Sequence, residues 1–246
     1  MKKERLDKIL LERRLVESRE RARALIMEGK VFVNNIPVTK AGAMVSVDAL
    51  ITLKEGIPYV SRGGLKLEAA LDHFGIILEG LTAMDVGSST GGFTDCMLKK
   101  GVKKVYCIDV GYGQLSWQLR EDPRVVLFEK TNIRYLERER IPDEIDFITI
   151  DVSFISLKKI LPKAIVFLKA GGQILALIKP QFEVGKGEVG KGGVVRDEGK
   201  RMLAVEEIKR FSEEIGLTVS GIFQSPVKGP KGNIEYFIYL WKRQNL

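Results

Sequence analysis

Two lysines and two carboxylates occupy positions where a sheet domain does not need charge for its stability. Asp151 and Lys179 each follow an apolar, β-rich segment, so both are expected at the carboxyl ends of strands. Lys66 lies at the start of a helical pattern, and Glu235 near the start of the last strand pattern. Because burial and a second nearby cation push a lysine towards its neutral form, Lys179 could accept a proton. The set predicts proton-transfer chemistry in which Asp151 and Glu235 orient the two lysines. Taken singly, each residue is better explained as an exposed strand-end charge.

A glycine-rich segment, Gly87–Gly92, follows an apolar strand pattern and is typical of a nucleotide cradle. Gly87 permits a tight turn, the later glycines let the backbone approach a ligand, and a helical pattern then begins. Asp109 ends the next strand pattern. Its separation from Gly87 is near the ~20 residues expected of an acid that holds ribose hydroxyls.

Two cofactors could occupy such a cradle, NAD and S-adenosylmethionine. Ser89 stands at the second glycine position of the dinucleotide pattern, so close approach of a pyrophosphate is less natural. S-adenosylmethionine needs no pyrophosphate turn and is favoured, with Asp85 near its positive end. Asn132, which follows the third strand, is a candidate for the adenine edge, although asparagine is also a common turn former. The expected cofactor contacts are Asp85, Gly87, Ser89, Gly91, Gly92, Thr94, Asp109 and Asn132.

The segment Gly185–Lys191 spells both G-x-G-x-x-G and G-x-x-x-x-G-K. Gly192 stands where a phosphate-binding loop needs a hydroxyl for magnesium, and no helix pattern begins there. We interpret the segment as a flexible glycine-rich loop beside the site, with Lys186 and Lys191 placed to touch RNA phosphate.

Composition limits the class of protein. A chain of 246 residues with 45% apolar and 29% charged side chains can bury a full core, which excludes intrinsic disorder. Its apolar runs are far shorter than the ~18 to 20 residues of a membrane-spanning helix, and its N-terminus lacks the pattern of a secretory signal, so we expect a cytoplasmic protein. Two cysteines and one histidine, His73, are too few for a zinc site, and no metal is expected. A net charge of +8 favours nucleic acid as partner over a membrane.

From residue 61 onward, apolar β-rich segments alternate with helical patterns. This alternation predicts an α/β domain with a mostly parallel, seven-stranded, Rossmann-like sheet and helices on both faces. Ligands of such sheets bind at the carboxyl ends of the strands, where Asp151 and Lys179 are expected. The expected strands are Leu81–Val86, Val105–Val110, Val125–Phe128, Ile145–Ile150, Gln173–Ile178, Val219–Phe223 and Ile234–Trp241. The expected helices are Leu65–Phe74, Phe93–Lys100, Leu157–Leu168 and Arg201–Ile215.

The first quarter of the chain has a different pattern and a higher charge density. Residues 1–60 carry 12 Lys+Arg and 8 Asp+Glu, a net charge of +4. Half of the net charge of +8 therefore lies in the first quarter of the chain. Two short helical patterns, the second capped by Ser18, precede short alternating strands, which predicts a small α+β domain. Arg19 and Arg23 lie four residues apart on one helix face, with Lys30 just beyond, and could track phosphates. Glycine and proline place the domains at 1–55 and 63–246, with a linker at 56–62.

Residues 1–55 resemble the S4 RNA-binding domain. The resemblance rests on the order and spacing of three strings, Arg5-Leu6-Asp7, Ser18-Arg19-Glu20-Arg21-Ala22 and Gly29-Lys30-Val31-Phe32-Val33-Asn34. It implies that RNA is bound by Arg5, Arg19, Arg23 and Lys30. The alternative is a basic helical hairpin that is merely solvated.

The remainder resembles the FtsJ-like RNA 2′-O-methyltransferases, and the whole chain resembles the TlyA (haemolysin A) family. The strings that carry the resemblance are Ser61-Arg62-Gly63-Gly64-Leu65-Lys66-Leu67, Asp109-Val110-Gly111-Tyr112-Gly113-Gln114-Leu115, Asp151-Val152-Ser153-Phe154-Ile155-Ser156 and Lys179-Pro180-Gln181-Phe182-Glu183. The resemblance implies a Lys-Asp-Lys-Glu tetrad at Lys66, Asp151, Lys179 and Glu235. It also implies methyl transfer from S-adenosylmethionine to the ribose 2′-hydroxyl of cytidine in ribosomal RNA.

Two other functions compete with this expectation. A non-catalytic RNA-binding factor for ribosome assembly would be favoured by loss of tetrad residues, and none is lost. A membrane-lytic haemolysin would need a spanning or strongly amphipathic exposed segment, and the sequence contains neither. The expected partners are ribosomal RNA or ribosomal subunits.

Overall fold

The computed structural model describes residues 3–34, 36–53, 57–185, 187–190 and 192–243. The chain forms two compact units, Met1–Pro58 and Tyr59–Leu246. None of the helices within these described ranges is long and apolar enough to cross a bilayer. The predicted linker residue Gly56 lies outside the described residues.

The smaller unit packs two short helices against small antiparallel sheets. Its elements are β1 (Lys3–Arg5), α1 (Leu6–Glu12), α2 (Arg19–Met27), β2 (Val31–Val33), β3 (Ile36–Val38), β4 (Met44–Ser46) and β5 (Ile51–Leu53). Helix α2 begins where Ser18 predicts it, because the Ser18 side chain accepts a hydrogen bond from the Arg21 N–H. In the described residues, β3, β2 and β5 form one sheet, while β1 pairs with β4. The core consists of Leu6, Ile9, Leu10, Ala22, Ile26, Val31 and Ile51.

The described part of the larger unit forms a seven-stranded sheet in the order β11-β12-β10-β9-β6-β7-β8. Its helices are α3 (Gly63–Phe74), α4 (Gly92–Lys99), α5 (Trp117–Arg120), α6 (Leu161–Phe167), α7 (Pro180–Glu183) and α8 (Glu198–Glu214). Its strands are β6 (Thr82–Val86), β7 (Lys104–Ile108), β8 (Val125–Phe128), β9 (Ile145–Ile150), β10 (Leu168–Ile178), β11 (Leu217–Gln224) and β12 (Tyr236–Lys242). Neighbouring strands from β8 to β10 are parallel, and β12 is antiparallel to both β10 and β11. The predicted α/β fold, with its mostly parallel sheet, is confirmed.

Both faces of this sheet are buried, which explains why its central strands are almost continuously apolar. On β6, Met84 belongs to a core formed with α6 and α8, while Ala83 belongs to a core formed with α3 and α4. The free cysteines, Cys96 and Cys107, are buried in the second core as small apolar residues. His73 lies in the last turn of α3 and stacks on Phe223, with ring centroids 4.2 Å apart.

Two predicted boundaries differ from the structure. The sequence predicts residues 59–62 in the linker, but they belong to the larger unit. Tyr59 is 8% exposed and its hydroxyl donates to Glu68, while the Val60 N–H donates to Asp95. The helix expected from Leu157 begins only at Leu161, since a short 3-10 turn precedes it.

Candidate active site

The carboxyl ends of β6, β9 and β10 bring the predicted site residues to one edge of the sheet. Asp151 directly follows β9, and Lys179 directly follows β10. Glu235 directly precedes β12, whose first residue pairs with the last residue of the antiparallel β10. Lys66 comes from the first turns of α3. Parallel topology therefore assembles a group of residues that are far apart in sequence.

The position after β6 requires a glycine, Gly87, because of its backbone conformation and because a side chain would not fit there. Its φ is +85°, and a Cβ there would lie 2.5 Å from the carbonyl oxygen of Asp151. The loop that follows is tied to the loop after β7 by Asp109. The Oδ2 of this carboxylate accepts the Ser89 N–H at 2.7 Å, and its Oδ1 accepts the Gly111 N–H at 2.6 Å.

A first cavity of about 510 Å³ lies beside this loop. Four predicted cofactor contacts line it: Gly87, Ser89, Asp109 and Asn132. Much of the remaining wall is apolar and comes from Val86, Ile108, Val110, Ile133, Val152, Phe154, Ile155 and Ile160. A mostly apolar cavity with a few convergent polar groups has the character of a small-molecule site.

A second cavity of about 350 Å³ adjoins the first. Three predicted tetrad residues, Lys66, Asp151 and Lys179, lie in its wall together with Gly92 and Ser88. The two cavities share Gly87, Ser89 and Asp151. These three residues form a common wall of the two cavities. A ligand in the first cavity can therefore lie next to a ligand in the second.

The tetrad forms two ion pairs. Lys179 Nζ lies 2.5 Å from Asp151 Oδ1 and donates to Ser153 Oγ at 3.0 Å. Lys66 Nζ lies 2.6 Å from Oε2 of Glu235, whose side chain is fully buried. Because each lysine has a carboxylate in contact, the cluster is formally neutral and both amines are held in fixed positions.

Three predicted cofactor contacts face neither cavity. The fully buried Asp85 accepts hydrogen bonds from the hydroxyls of Thr94 and Thr149, at 2.7 and 2.9 Å, so these polar groups are bonded to one another, and the expected contacts of Asp85 and Thr94 with a ligand stay predictions. Burial raises the pKa of Asp85 to about 6, against the opposing effect of these hydroxyls. Gly91 is explained by packing, because a Cβ there would lie 2.2 Å from a methyl group of Leu119.

Three polar residues at the site were not predicted from the sequence. Ser153 holds the Lys179 amine, and Gln181 Nε2 lies 3.5 Å from Glu235 Oε1. Ser88 Oγ is buried in the wall of the second cavity without a hydrogen-bond partner in the described part of the chain. The available signal was proximity in sequence, since Ser153, Gln181 and Ser88 lie within two residues of Asp151, Lys179 and Gly87 respectively.

The arginines expected to bind RNA converge on one carboxylate. Arg5, Arg19 and Arg23 all contact the fully buried Asp7, at 3.0 to 3.2 Å. Their side chains remain 41 to 47% exposed, so they can also meet a ligand. Lys30 is paired with Glu28 at 2.6 Å.

The loop lysines expected to touch RNA, Lys186 and Lys191, lie outside the described residues. Within the described ranges, no three His, Cys, Asp or Glu side chains are grouped so that they could hold a metal ion.

Known families match both units. A family described as FtsJ-like methyltransferase matches residues 59–242, and the S4 domain family matches residues 4–51. A relative from Mycobacterium tuberculosis (strain H37Rv), described as 16S/23S rRNA (cytidine-2′-O)-methyltransferase TlyA, is 44% identical over 238 residues. That match covers 96% of this chain and 89% of the relative. The chain belongs to the TlyA family of FtsJ-like methyltransferases.

Two further relatives match over nearly the full chain. Hemolysin A of Brachyspira hyodysenteriae is 42% identical over 236 residues, which cover 96% of this chain and 98% of that protein. A solved structure of a protein described as a hemolysin, from Streptococcus thermophilus, is 43% identical and has a TM-score of 0.76. It covers 99% of this chain and 90% of that chain. The family resemblance inferred from the sequence motifs is confirmed.

Proposed function

We propose that this protein transfers a methyl group from S-adenosylmethionine to the ribose 2′-hydroxyl of a cytidine in ribosomal RNA. The observation that carries the proposal is the common wall of the two cavities, where Asp151 holds the Lys179 amine at 2.5 Å. The described specificity of the M. tuberculosis relative supports the same reaction and substrate class.

The residues of the first cavity fit S-adenosylmethionine. Asp109 is fixed by two backbone N–H groups, and its carboxylate is suited to accept ribose hydroxyls. The apolar walls suit an adenine ring, and we assign Asn132 to its polar edge. The unpartnered hydroxyl of Ser88, in the second cavity of the described structure, offers a donor to a ligand near the common wall. When bound, S-adenosylmethionine supplies a methyl group that is already activated by its sulfonium.

Lys179 is the residue that we place against the substrate hydroxyl. Asp151 and Ser153 hold its Nζ at the edge of the second cavity. In its neutral amine form, Lys179 would take up the hydroxyl proton as the ribose oxygen bonds to the methyl carbon; the carbon–sulfur bond would break at the same time and leave its electron pair on sulfur as a neutral thioether. Orientation of this kind accounts for a large part of the rate of such a reaction, because the two reacting groups are held in line.

Lys66 supports the same step from α3. Glu235 fixes its amine at 2.6 Å, and both Lys66 and Lys179 line the second cavity. This fixed cation stabilises the negative charge that develops on the attacking oxygen. The two carboxylates therefore act as positioning groups for the two lysines.

We assign RNA recognition to the smaller unit. Three half-exposed arginines around α1 and α2 can contact phosphates while Asp7 fixes their positions. The net charge of +8 favours association with ribosomal RNA or with a ribosomal subunit.

The experiment that tests the function is methyl transfer from labelled S-adenosylmethionine to ribosomal subunits that lack the modification. We expect label on a ribose 2′-oxygen with the wild-type protein and at least about a 100-fold loss with Lys179→Ala. Lys169→Ala is the matched control, because Lys169 is an exposed lysine at the opposite end of the same strand, paired with Asp146. Tight RNA binding with no label on either subunit would instead favour an assembly factor.

A further inference from the structure

Glu183 joins the two chain segments that carry Asp151 and Lys179. It is the last residue of α7, four residues after Lys179. Its Oε2 accepts a hydrogen bond from Ser156 Oγ at 2.5 Å, and its Oε1 accepts the Leu157 N–H at 2.9 Å. These two partners belong to the segment that leaves β9 and begins with Asp151. One carboxylate thus connects residues 151–157 with residues 179–183.

The same two segments meet again at their other end. There the Lys179 amine contacts Asp151 at 2.5 Å and Ser153 at 3.0 Å. The contacts of Lys179 and those of Glu183 therefore close a ring between the two segments. Within this ring, the position of Asp151 relative to Lys179 depends on both ends.

The segment after β9 has features that would favour another conformation if it were released. Phe154 has a φ of 62°, a region that bulky residues rarely adopt, and its side chain is 91% exposed. Its ring contacts Phe182 of α7, with centroids 5.0 Å apart. Backbone strain of this kind persists only when neighbouring contacts hold it. Glu183 supplies two of those contacts.

The carboxyl group of Glu183 is partly buried, which is unfavourable for its charged form. Burial raises the pKa of its carboxyl, and the hydrogen bonds from Ser156 and Leu157 oppose that shift. A partly desolvated carboxylate is stabilised here only through its partners, so its geometry is tightly defined.

We propose that Glu183 is a positioning residue for methyl transfer: it fixes the segment 151–157 against the segment 179–183, so that Asp151 and Ser153 hold the Lys179 amine at the common wall of the two cavities. This inference rests on the proposed function. The positioning role requires the two hydrogen bonds of Glu183 and does not require its charge. Ser156 Oγ can either donate or accept, so an amide at position 183 preserves both bonds.

The test compares Glu183→Ala with Glu183→Gln in the full-length protein. We expect Glu183→Ala to lower kcat for ribosomal subunits about 100-fold, with KM changed less than about threefold, because a misplacement of about 1 Å at a reacting group has that effect. Glu183→Gln should keep at least about a third of wild-type kcat, because both hydrogen bonds remain. Glu207→Ala is the matched control. Glu207 is an exposed glutamate that pairs with Lys158, just after the segment 151–157, and its substitution should leave kcat unchanged.

A second measurement does not depend on activity. Hydrogen exchange of the unliganded protein should show faster exchange of the Leu157 amide in Glu183→Ala, and wild-type exchange in Glu183→Gln and Glu207→Ala. A protein that shows this exchange pattern but never methylates RNA would refute the proposed function and leave the connection between the segments intact. Wild-type kcat in Glu183→Ala would overturn the inference, as would equal loss of kcat in the Ala and Gln variants.

Discussion

Lys66 and Glu235 are 169 residues apart in the chain, yet Lys66 Nζ lies 2.6 Å from Glu235 Oε2. The carboxylate is fully buried and the lysine side chain is 10% exposed. Gly229 leaves room for this carboxylate, since a Cβ there would lie 2.1 Å from Glu235 Oε1. The pair links α3 to the start of β12, so it ties together the two ends of the larger unit while it holds a lysine in the second cavity.

Breaking this pair from one side should destabilise the protein more than removing both partners. Glu235→Ala leaves a buried lysine without its counter-ion, for which we expect a loss of about 3 to 5 kcal/mol in the free energy of unfolding. In the double variant Lys66→Met/Glu235→Ala, the loss should be smaller than in Glu235→Ala alone, and therefore smaller than the sum of the single losses. Urea unfolding of the four proteins measures the coupling, and strictly additive losses would contradict it.

The sequence predicted the sheet of the larger unit because burial on both faces makes its strands apolar. All seven predicted strands are present, with boundaries that move by a few residues. The strands β1 and β4 could not be predicted, because Lys3–Arg5 has no apolar alternation and its partner, Met44–Ser46, is distant in sequence. The linker was placed too far along the chain, since the burial of Tyr59 depends on its tertiary contacts.

The candidate site was predictable to the extent that strand ends mark it. Asp151 and Lys179 directly follow strands and lie in the cavity wall. Asp85 lies one residue before the end of β6, and its side chain is buried under the loop. Likewise, the shared contact of three arginines with Asp7 is a tertiary arrangement that residue spacing does not specify.

Asp85 should make the protein less stable as the pH rises. Its folded pKa of about 6 lies above the ordinary value of 3.8, so the folded state holds a proton that the unfolded state releases between these values. The penalty is complete above about pH 6 and amounts to about 3 kcal/mol. Asp85→Asn should therefore raise the free energy of unfolding at about pH 8, with a gain that vanishes below about pH 4. Urea unfolding at the two pH values measures this difference, and an equal effect at both would contradict the expectation.

The same variant tests whether Asp85 contacts the cofactor. Because the Asp85 side chain is enclosed by Thr94 and Thr149, we expect the Kd of S-adenosylmethionine to change less than about threefold. Calorimetric titration measures it. A tenfold or greater weakening would instead support the direct contact inferred from the sequence.

Gly87→Ala should disrupt the cofactor loop. The new methyl group would meet backbone atoms of Asp151 at 2.5 and 3.0 Å, which no side-chain rotation relieves. We expect a loss of more than about 2 kcal/mol in stability and at least a tenfold loss of S-adenosylmethionine affinity. Gly75→Ala is the control, because Gly75 also has a positive φ, +64°, but nothing lies within 4 Å of the added Cβ. It should lose about 1 kcal/mol and retain affinity, and equal effects of the two variants would contradict the argument.

Asp7 should stabilise the smaller unit at neutral pH and cease to do so in acid. The hydrogen bonds from Arg5, followed by those from Arg23 and Arg19, hold the pKa of this carboxyl well below its ordinary value. A lowered folded pKa means that the stabilisation is present above the ordinary aspartate pKa of about 3.9 and is lost as the pH falls towards the folded value. Asp7→Asn should therefore cost about 2 kcal/mol near pH 7, and the difference from wild type should shrink below about pH 4. Asp48→Asn, which changes a carboxylate of the same unit that lies in a turn, is the control and should change stability little at either pH. Thermal unfolding at both pH values measures this difference. A constant difference between wild type and Asp7→Asn would show that the stabilisation by Asp7 does not depend on its charge.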